Sequence, residues 1–326
     1  MKKIHVSTTL GLFATIAGIG LFYFGYSVIA SLAFTAAYFL SIKEVSKYTS
    51  WYQFSMVFLS AVLIGVSIEY PFTNLPPITL TLFVAACGSI LRIVLFRIFS
   101  YTQHSWFEPL MMVLAGILYI LGNIIYPNSW NGWVFPLPIM AFNAVLSFGI
   151  MKDKSQLLSF SKGGYRVEIG KPASDFALPD QDGNIVKLSE YKGVRDLLLI
   201  FVRGDWCPGC HMMLRTYEKN REKFQQKNIL IMAIGPDPVG VNKGMVEKLG
   251  VEFKVLSDDK QKTAMNYGIQ LKDYDNDFAE KYEEGIPLPA SFLIDRNGIV
   301  RYVSRPDKVG EFLNPSLIFP IVEKLS

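Results

Sequence analysis

The pattern of apolar and polar positions divides the chain into two halves of different kind. Roughly the first 150 residues contain long uncharged apolar runs, and the remainder mixes apolar and charged positions. A helix that crosses a bilayer core of about 30 Å needs about 20 mostly apolar residues. Six segments approach this length, over residues 8–24, 27–42, 52–68, 77–99, 107–125 and 133–150. The pattern therefore predicts an all-α, multi-span membrane domain over residues 1–151.

The distribution of Lys and Arg predicts the orientation of these spans. Short loops on the cytoplasmic side of a membrane carry an excess of Lys and Arg. Basic residues precede span one and follow spans two, four and six, whereas the loops after spans one, three and five contain none. We expect an integral protein of the inner or plasma membrane with its second half in the cytoplasm. An odd number of spans would place that half on the external or periplasmic face.

A signal peptide is the alternative reading of the first apolar segment, which follows Lys2 and Lys3. A cleaved signal peptide is followed by a polar mature start. Here a second apolar run follows instead, which favours a retained span.

The second half reads as an α/β domain after a polar connector. Residues 152–166 carry the connector pattern, and the domain extends over residues 167–326. A hairpin is expected over 175–188, and unbroken apolar runs at 197–202 and 229–234 indicate strands buried on both faces. Helical stretches alternate with these strands, the first of them over about 208–226, and a second hairpin over 291–303 follows. Strands that alternate with helices predict a layered α/β sheet.

The candidate chemistry lies where the first buried strand meets a helix, at Cys207-Pro-Gly-Cys210. A cysteine at a helix N-terminus meets unpaired N–H groups and the positive end of the helix dipole, and both favour the nucleophilic thiolate. We predict that Cys207 is the more exposed attacking thiol and that Cys210, one turn later, resolves the mixed disulfide. Trp206 would shield the pair and offer partners a flat contact.

Other interpretations of the cysteines remain possible. The two could be inert, and Cys207 to His211 matches the string that attaches c-type haem. A zinc ion usually takes four ligands, and the histidines outside the motif, His5 and His104, lie in the membrane half. Cys87 is alone in a predicted span and cannot form a membrane dithiol relay. We expect no cofactor and no metal. His211 is expected on the helix surface, where it would modestly tune the thiolates rather than bind a ligand.

The net charge of +4 has no dense basic block behind it, which argues against nucleic acid as a partner. The expected partners are protein or small-molecule disulfides and thiols, together with the lipid bilayer.

Three motifs from residue 170 to about 303 resemble the thioredoxin-fold redoxin superfamily. The opening over 170–180, the segment 201–210 and the run 288–301 are similar to the branch that joins peroxiredoxin-like (AhpC/TSA-like) proteins and membrane-tethered thiol–disulfide oxidoreductases. The resemblance implies a thioredoxin-like domain in which Pro289 is the cis-proline facing the dithiol. It also implies that the backbone of Leu288 is free to pair with a bound substrate strand.

Departures from the family pattern bear on the activity. Peroxiredoxins carry Pro seven residues and Thr or Ser three residues before the peroxidatic cysteine, where this chain has Ile200 and Gly204. Thioredoxins carry a buried acid where this chain has Phe201; Asp205 and Glu218 are the nearby acids. We therefore predict a membrane-anchored thiol–disulfide oxidoreductase.

Two other functions stay open. The first is a thiol peroxidase in which Cys207 is peroxidatic and Cys210 resolves; the second is a non-enzymatic scaffold with a redoxin binding module. The acidic and aromatic stretch 273–284 is either a solvated loop or a rim that selects partners.

Overall fold

A computed structural model describes residues 6–42, 51–69, 77–95, 106–125, 133–161, 166–273, 280–304, 315 and 318–324. The chain separates into two compact units. The first contains Lys3–Leu95 and His104–Lys152, and the second contains Asp153–Ser326.

The described part of the chain up to residue 161 is helical. Its long helices are α1 (Val6–Tyr23), α2 (Ser27–Ile42), α3 (Trp51–Glu69), α4 (Pro77–Leu95), α5 (Phe107–Ile125) and α6 (Leu137–Ser161). Each of the six apolar segments coincides with one of these helices, so the all-α prediction for this region is confirmed. The end of the fourth predicted span, residues 96–99, lies outside the described residues.

Two of these helices, α1 and α5, are long and apolar enough to cross a membrane. The other apolar stretches among the described residues are shorter, at Ser27–Ile42, Ser55–Ile68 and Ile78–Gly88. A buried apolar cluster packs α2, α3, α4 and α6 together around Phe34, Tyr38, Ile64, Leu82 and Ile139.

The beginning of the predicted connector is helical. Helix α6 runs without a break to Ser161, so residues 152–161 belong to it. Polar composition alone suggested a linker, but Lys, Gln and Leu in this stretch are good helix formers. Residues 162–165, the next part of that connector, lie outside the described residues.

The second unit is an α/β domain built on a five-stranded sheet. Its strands are β1 (Ala177–Pro179), β2 (Ile185–Lys187), β3 (Asp196–Phe201), β4 (Ile229–Gly235), β5 (Lys254–Ser257), β6 (Gln270–Leu271), β7 (Ile286–Pro287), β8 (Ala290–Ile294) and β9 (Val300–Val303). The order in the main sheet is β5-β4-β3-β8-β9, with β3, β4 and β5 parallel and β8 antiparallel to both of its neighbours. Strands β1 and β2 form the expected hairpin.

The helices of this domain are α7 (Pro208–Lys219), α8 (Arg221–Gln226), α9 (Val239–Leu249), α10 (Lys262–Tyr267) and α11 (Phe319–Val322), with a 3₁₀ turn at Leu188–Tyr191. The single helix expected over 208–226 is broken at Asn220. The Asn220 side-chain amide donates to the carbonyl of Thr216 (2.9 Å), an interaction that competes with helix continuation.

The sheet register determines what meets at the site. Strand β3 ends at Phe201, six residues before Cys207, the N-cap residue of α7, and strand β4 ends beside it. On the other side of β3, Ala290 pairs with Phe201, so Pro289 lies at the same sheet edge. Carboxyl ends of parallel strands are where α/β sheets place their sites.

Candidate functional site

Cys207 occupies the N-cap position of helix α7. Its sulfur accepts a hydrogen bond from the backbone N–H of Cys210 (3.3 Å), and Pro208 follows in the first turn. Proline suits this position because the first N–H groups of a helix have no intrahelical acceptor. The backbone N–H of Arg203 donates to the sulfur of Cys210 (3.4 Å). Both cysteines are free thiols.

The two thiols differ sharply in acidity. Burial opposes ionisation of Cys207, but hydrogen bonds from Cys210 and the positive charge of Arg203 lower the pKa of Cys207 to about 6. Burial raises the pKa of Cys210 well above its ordinary value, and the neighbouring Cys207 raises it further. At neutral pH the nucleophile is therefore Cys207, while Cys210 holds its proton.

Arg203 is the cation beside the pair. Its guanidinium lies 5.1 Å from the centre of the Trp206 ring and forms an ion pair with Asp153 (2.8 Å), a residue of the same unit. The Trp206 indole N–H donates to the Arg203 carbonyl (3.0 Å). Trp206 thus packs on the group that lowers the pKa of Cys207.

Asp205 connects the motif to two further elements. Its carboxylate binds Nε2 of His211 (3.1 Å) and forms an ion pair with Lys248 on α9. Although burial opposes its ionisation, these two partners lower the pKa of Asp205 to about 2. Since the carboxylate is ionised, Nε2 of His211 must carry the hydrogen.

Asp237, directly beyond strand β4, connects the motif to the chain near residue 282. One carboxylate oxygen accepts from the backbone N–H of Asp205 (2.6 Å), and the other accepts from the hydroxyl of Tyr282 (2.6 Å). Lys281 lies 3.5 Å from the latter oxygen. Gly204 has φ +124°, which favours glycine, and a Cβ there would overlap the Tyr282 hydroxyl.

Three expectations about side-chain environment are wrong. Cys207 is as buried as Cys210, each 1% exposed, so it is not the more exposed thiol. His211 is fully buried rather than on the helix surface, because it pairs with Asp205. The N–H of Leu288 is not free, since it donates to the carbonyl of Ile269 (2.6 Å).

The remaining candidate residues separate into those near the dithiol and those away from it. Pro289 is buried at the sheet edge that carries the motif. Phe201, at the position of the thioredoxin acid, packs its ring against Tyr267 and Phe292. Glu218 forms an ion pair with Arg221 (2.7 Å) and is one of the residues away from the dithiol.

Across the residues that the structure describes, no group of three His, Cys, Asp or Glu side chains could hold a metal ion. His5 and His104, considered as zinc ligands, lie outside the described residues.

Sequence reasoning missed Arg203, Asp237 and Lys248 as parts of the site. Asp237 had a usable signal, because it follows a buried parallel strand at the edge where sites form. Arg203 likewise stands between a buried strand and the motif, whereas Lys248 carried no local signal. Tyr282 belongs to the stretch 273–284, which the sequence predicted to be a solvated loop or a rim that selects partners; residues 274–279 of that stretch lie outside the described residues.

Comparisons with known proteins agree with this geometry. A family model described as the AhpC/TSA family matches residues 169–303. Peroxiredoxin Bcp of Bacillus subtilis is 33% identical over 152 residues, which cover 45% of this chain and 93% of that protein. Thiol-disulfide oxidoreductase ResA of Bacillus anthracis is 30% identical over 136 residues, which cover 41% of this chain and 68% of that protein.

A chloroplastic peroxiredoxin Q of Oryza sativa subsp. japonica is 29% identical over 153 residues, and the chain spans 66% of the length of that relative. The resemblance read from the three motifs is thereby confirmed: the chain belongs to the AhpC/TSA family of the thioredoxin-fold redoxin superfamily.

Proposed function

We propose that this chain is a membrane-anchored thiol–disulfide oxidoreductase whose working groups are Cys207 and Cys210. The observation that carries the proposal is the polarised pair. Cys207 lies at a helix N-cap with a pKa of about 6, and Cys210 one turn later has a raised pKa. A low-pKa thiol followed by a protonated partner is the arrangement that disulfide exchange requires.

The exchange proceeds in two balanced steps. The Cys207 thiolate attacks one sulfur of a substrate disulfide, the substrate S–S bond breaks, and the leaving thiolate takes a proton. Cys210 then loses its proton and attacks the sulfur of Cys207, which releases the second substrate thiol. The substrate gains two electrons and the pair becomes a disulfide, which a thiol reductant must reduce. Protein and small-molecule disulfides are the proposed substrates, and the same steps run in reverse oxidise thiols.

A trapping experiment on the full-length protein in detergent tests this function. We expect Cys210→Ser to accumulate a mixed disulfide between Cys207 and glutathione when it is treated with glutathione disulfide, because the attack that resolves it is lost. Cys207→Ser is the matched control and should trap nothing. Reduction of glutathione disulfide by the wild type with a thiol donor should proceed without consuming peroxide. Failure of Cys210→Ser to form the mixed disulfide would contradict the proposal.

A thiol peroxidase, with Cys207 peroxidatic and Cys210 resolving, is the second candidate. Similarity to peroxiredoxin Bcp over 93% of its length favours it. Gly204 opposes it, because the position three residues before Cys207 has no hydroxyl to bind a peroxide. Consumption of hydrogen peroxide coupled to oxidation of a thiol donor separates this candidate from the first.

The membrane part of the proposal rests on helices α1 and α5. Both are long and apolar enough to span a bilayer, and their large apolar side chains face outward. The proposed organisation is a transmembrane domain over residues 1–151, a connector over 152–166 and the redox domain over 167–326. The Lys and Arg pattern supports a cytoplasmic redox domain in an inner or plasma membrane.

Reporter fusions to Ser326 test the orientation. A reporter that is active only in the cytoplasm should be active when fused there, and alkaline phosphatase, which is active only outside, should be inactive. The opposite pair of results would place the redox domain on the external or periplasmic face.

A further inference from the structure

The dithiol is closed in this structure. Cys207 and Cys210 are each only 1% exposed, so a disulfide within a folded protein cannot reach either sulfur without a movement. Attack on a disulfide also needs the incoming sulfur close to the thiolate and in line with it. Whatever lies against the loop before Cys207 therefore decides which substrates approach.

Tyr282 packs against this loop at Gly204, together with Asp237 and Trp206. A Cβ on residue 204 would overlap its hydroxyl oxygen, so Gly204 makes room for the phenol. Burial raises the pKa of Tyr282, and the negative charges of Asp237, Asp205 and the Cys207 thiolate raise it further. The hydroxyl therefore stays protonated and can donate a hydrogen bond.

One carboxylate holds both the tyrosine and the loop. The buried side chain of Asp237 accepts from the Tyr282 hydroxyl and from the backbone N–H of Asp205, each at 2.6 Å. Lys281 places its ammonium 4.6 Å from the centre of the Tyr282 ring and 3.5 Å from Asp237. Hydrogen bonds to a charged acceptor are the stronger kind, so this contact keeps the phenol in place.

We propose that Tyr282 is a specificity-determining residue: its hydrogen bond to Asp237 keeps the phenol beside the Cys207 loop and favours small disulfides over disulfides in folded proteins. A small molecule needs only a slight displacement of the ring, whereas a protein chain needs the whole contact to open. This inference rests on the proposed function, because it assigns the substrate class of the same dithiol.

The test compares two maleimides of equal chemistry and different size on the reduced full-length protein. N-ethylmaleimide and a maleimide carrying a long polyethylene glycol chain react with Cys207, and peptide mass spectrometry separates this site from Cys87 and Cys210. The ratio of the two rates cancels any change in the pKa of Cys207. We expect Tyr282→Phe to raise the large-to-small ratio on the order of tenfold, the weight of one hydrogen bond to a charged group.

Two further variants make the result specific. Asp237→Asn keeps the shape and removes the charge, so it should raise the ratio in the same direction. Tyr267→Phe loses a hydroxyl bond of the same domain, to the Ser174 carbonyl (3.1 Å), and should leave the ratio unchanged.

An unchanged ratio in Tyr282→Phe overturns the proposal, and so does an equal rise in the Tyr267→Phe control. Alkylation needs no turnover, so these outcomes are independent of the trapping experiment on Cys210→Ser. If trapping fails while the ratio still rises, the proposed exchange activity fails and Tyr282 still controls access.

Discussion

Two helices of the first unit, α1 and α5, differ from strand β3 of the second unit in where they place large apolar side chains. In α1 and α5 such side chains are exposed, including Phe13, Ile16, Val113, Ile117, Ile120 and Ile124. In the sheet of the second unit the apolar side chains of β3 are fully buried, from Leu198 to Phe201. The same residue types therefore form an outer surface on α1 and α5 and a core around β3.

The buried residues of the first-unit helices also differ from those of the sheet. Helix α1 buries small or polar residues: Ser7, Thr8, Gly11, Thr15 and Gly18. Elsewhere in the first unit, Ser31 bonds Ser67 (2.7 Å) and Asn143 donates to Tyr38 (3.0 Å). Small residues and interhelical hydrogen bonds hold helices together when the solvent is itself apolar. Small or polar residues inside α1 and large apolar residues outside it are the arrangement expected of a helix in lipid, so the comparison supports the proposed membrane anchor.

The largest expected effect tests whether the redox chemistry belongs to the second unit. Cys207→Ser should lower disulfide exchange by more than about 10³-fold, because the attacking thiolate is removed. Cys87→Ser, in α4 of the first unit, is the matched control and should change the rate less than about twofold. Turnover of glutathione disulfide by each full-length variant measures both. A large loss in Cys87→Ser would break the assignment of redox chemistry to the second unit alone.

The second prediction tests the opposite faces directly. Phe201→Ala should destabilise the second unit by about 3–5 kcal/mol, because it opens a cavity in a filled core. Ile117→Ala, on the outward face of α5, should lower the stability by less than about 1 kcal/mol in a micelle, because detergent chains replace the lost contacts. Hydrogen exchange of the β3 and α5 peptides in detergent reports the two effects. Equal losses would show that the α5 face is packed against protein.

The third prediction concerns the small residues inside the first unit. Gly65→Ala should destabilise it by about 1–3 kcal/mol, because the new Cβ would overlap the backbone of Thr79 on α4. Gly20→Ala has open space around its Cβ and should be neutral or slightly stabilising. Thermal unfolding of the detergent-solubilised protein distinguishes them. Equal midpoints for the two variants would contradict the close approach of α3 and α4.

The smallest expected effect tests the charge that lowers the pKa of Cys207 in the second unit. The thiolate is the nucleophile, so alkylation of wild-type Cys207 should rise with pH and level off above its pKa of about 6. Arg203→Met removes a positive charge that stabilises the thiolate, so the midpoint should move upward and the rate at pH 6 should fall on the order of tenfold.

Arg221→Met removes a charge that is paired with Glu218 on α7 and serves as the control. Its midpoint should stay with that of the wild type. An unchanged midpoint in Arg203→Met would show that hydrogen bonds to Cys207 alone lower its pKa.

Local pattern was sufficient for much of the fold. The apolar segments of the first half are helical wherever the structure describes them, and the buried runs at 197–202 and 229–234 form neighbouring strands of the main sheet. Both follow from periodicity and length, which depend on near neighbours in the chain. The helix over 152–161 was missed because its polar composition also suits a connector. The break at Asn220 was missed because it accompanies a single side-chain hydrogen bond, which the average pattern does not reveal.

The candidate site was predictable only in part. The position of Cys207 at a helix start followed from a strand, a motif and a helix in succession. Its burial did not, and neither did the pairing of His211 with Asp205, because both depend on what other elements place against the motif. The prediction that the N–H of Leu288 is free was wrong for the same reason. Ile269, whose carbonyl accepts its hydrogen bond, lies between α10 and β6, far from Leu288 in the chain.

The sequence by itself determined the apolar helices, the α/β domain and a thiol at the start of a helix with a second thiol one turn behind. These features rest on interactions between residues close in the chain. Only the tertiary structure decided that Asp237 and Tyr282, 30 and 75 residues after Cys207, meet at the loop before it. Strand β4 must pair in parallel with β3 to bring Asp237 there, and no local pattern encodes which distant groups such pairing unites.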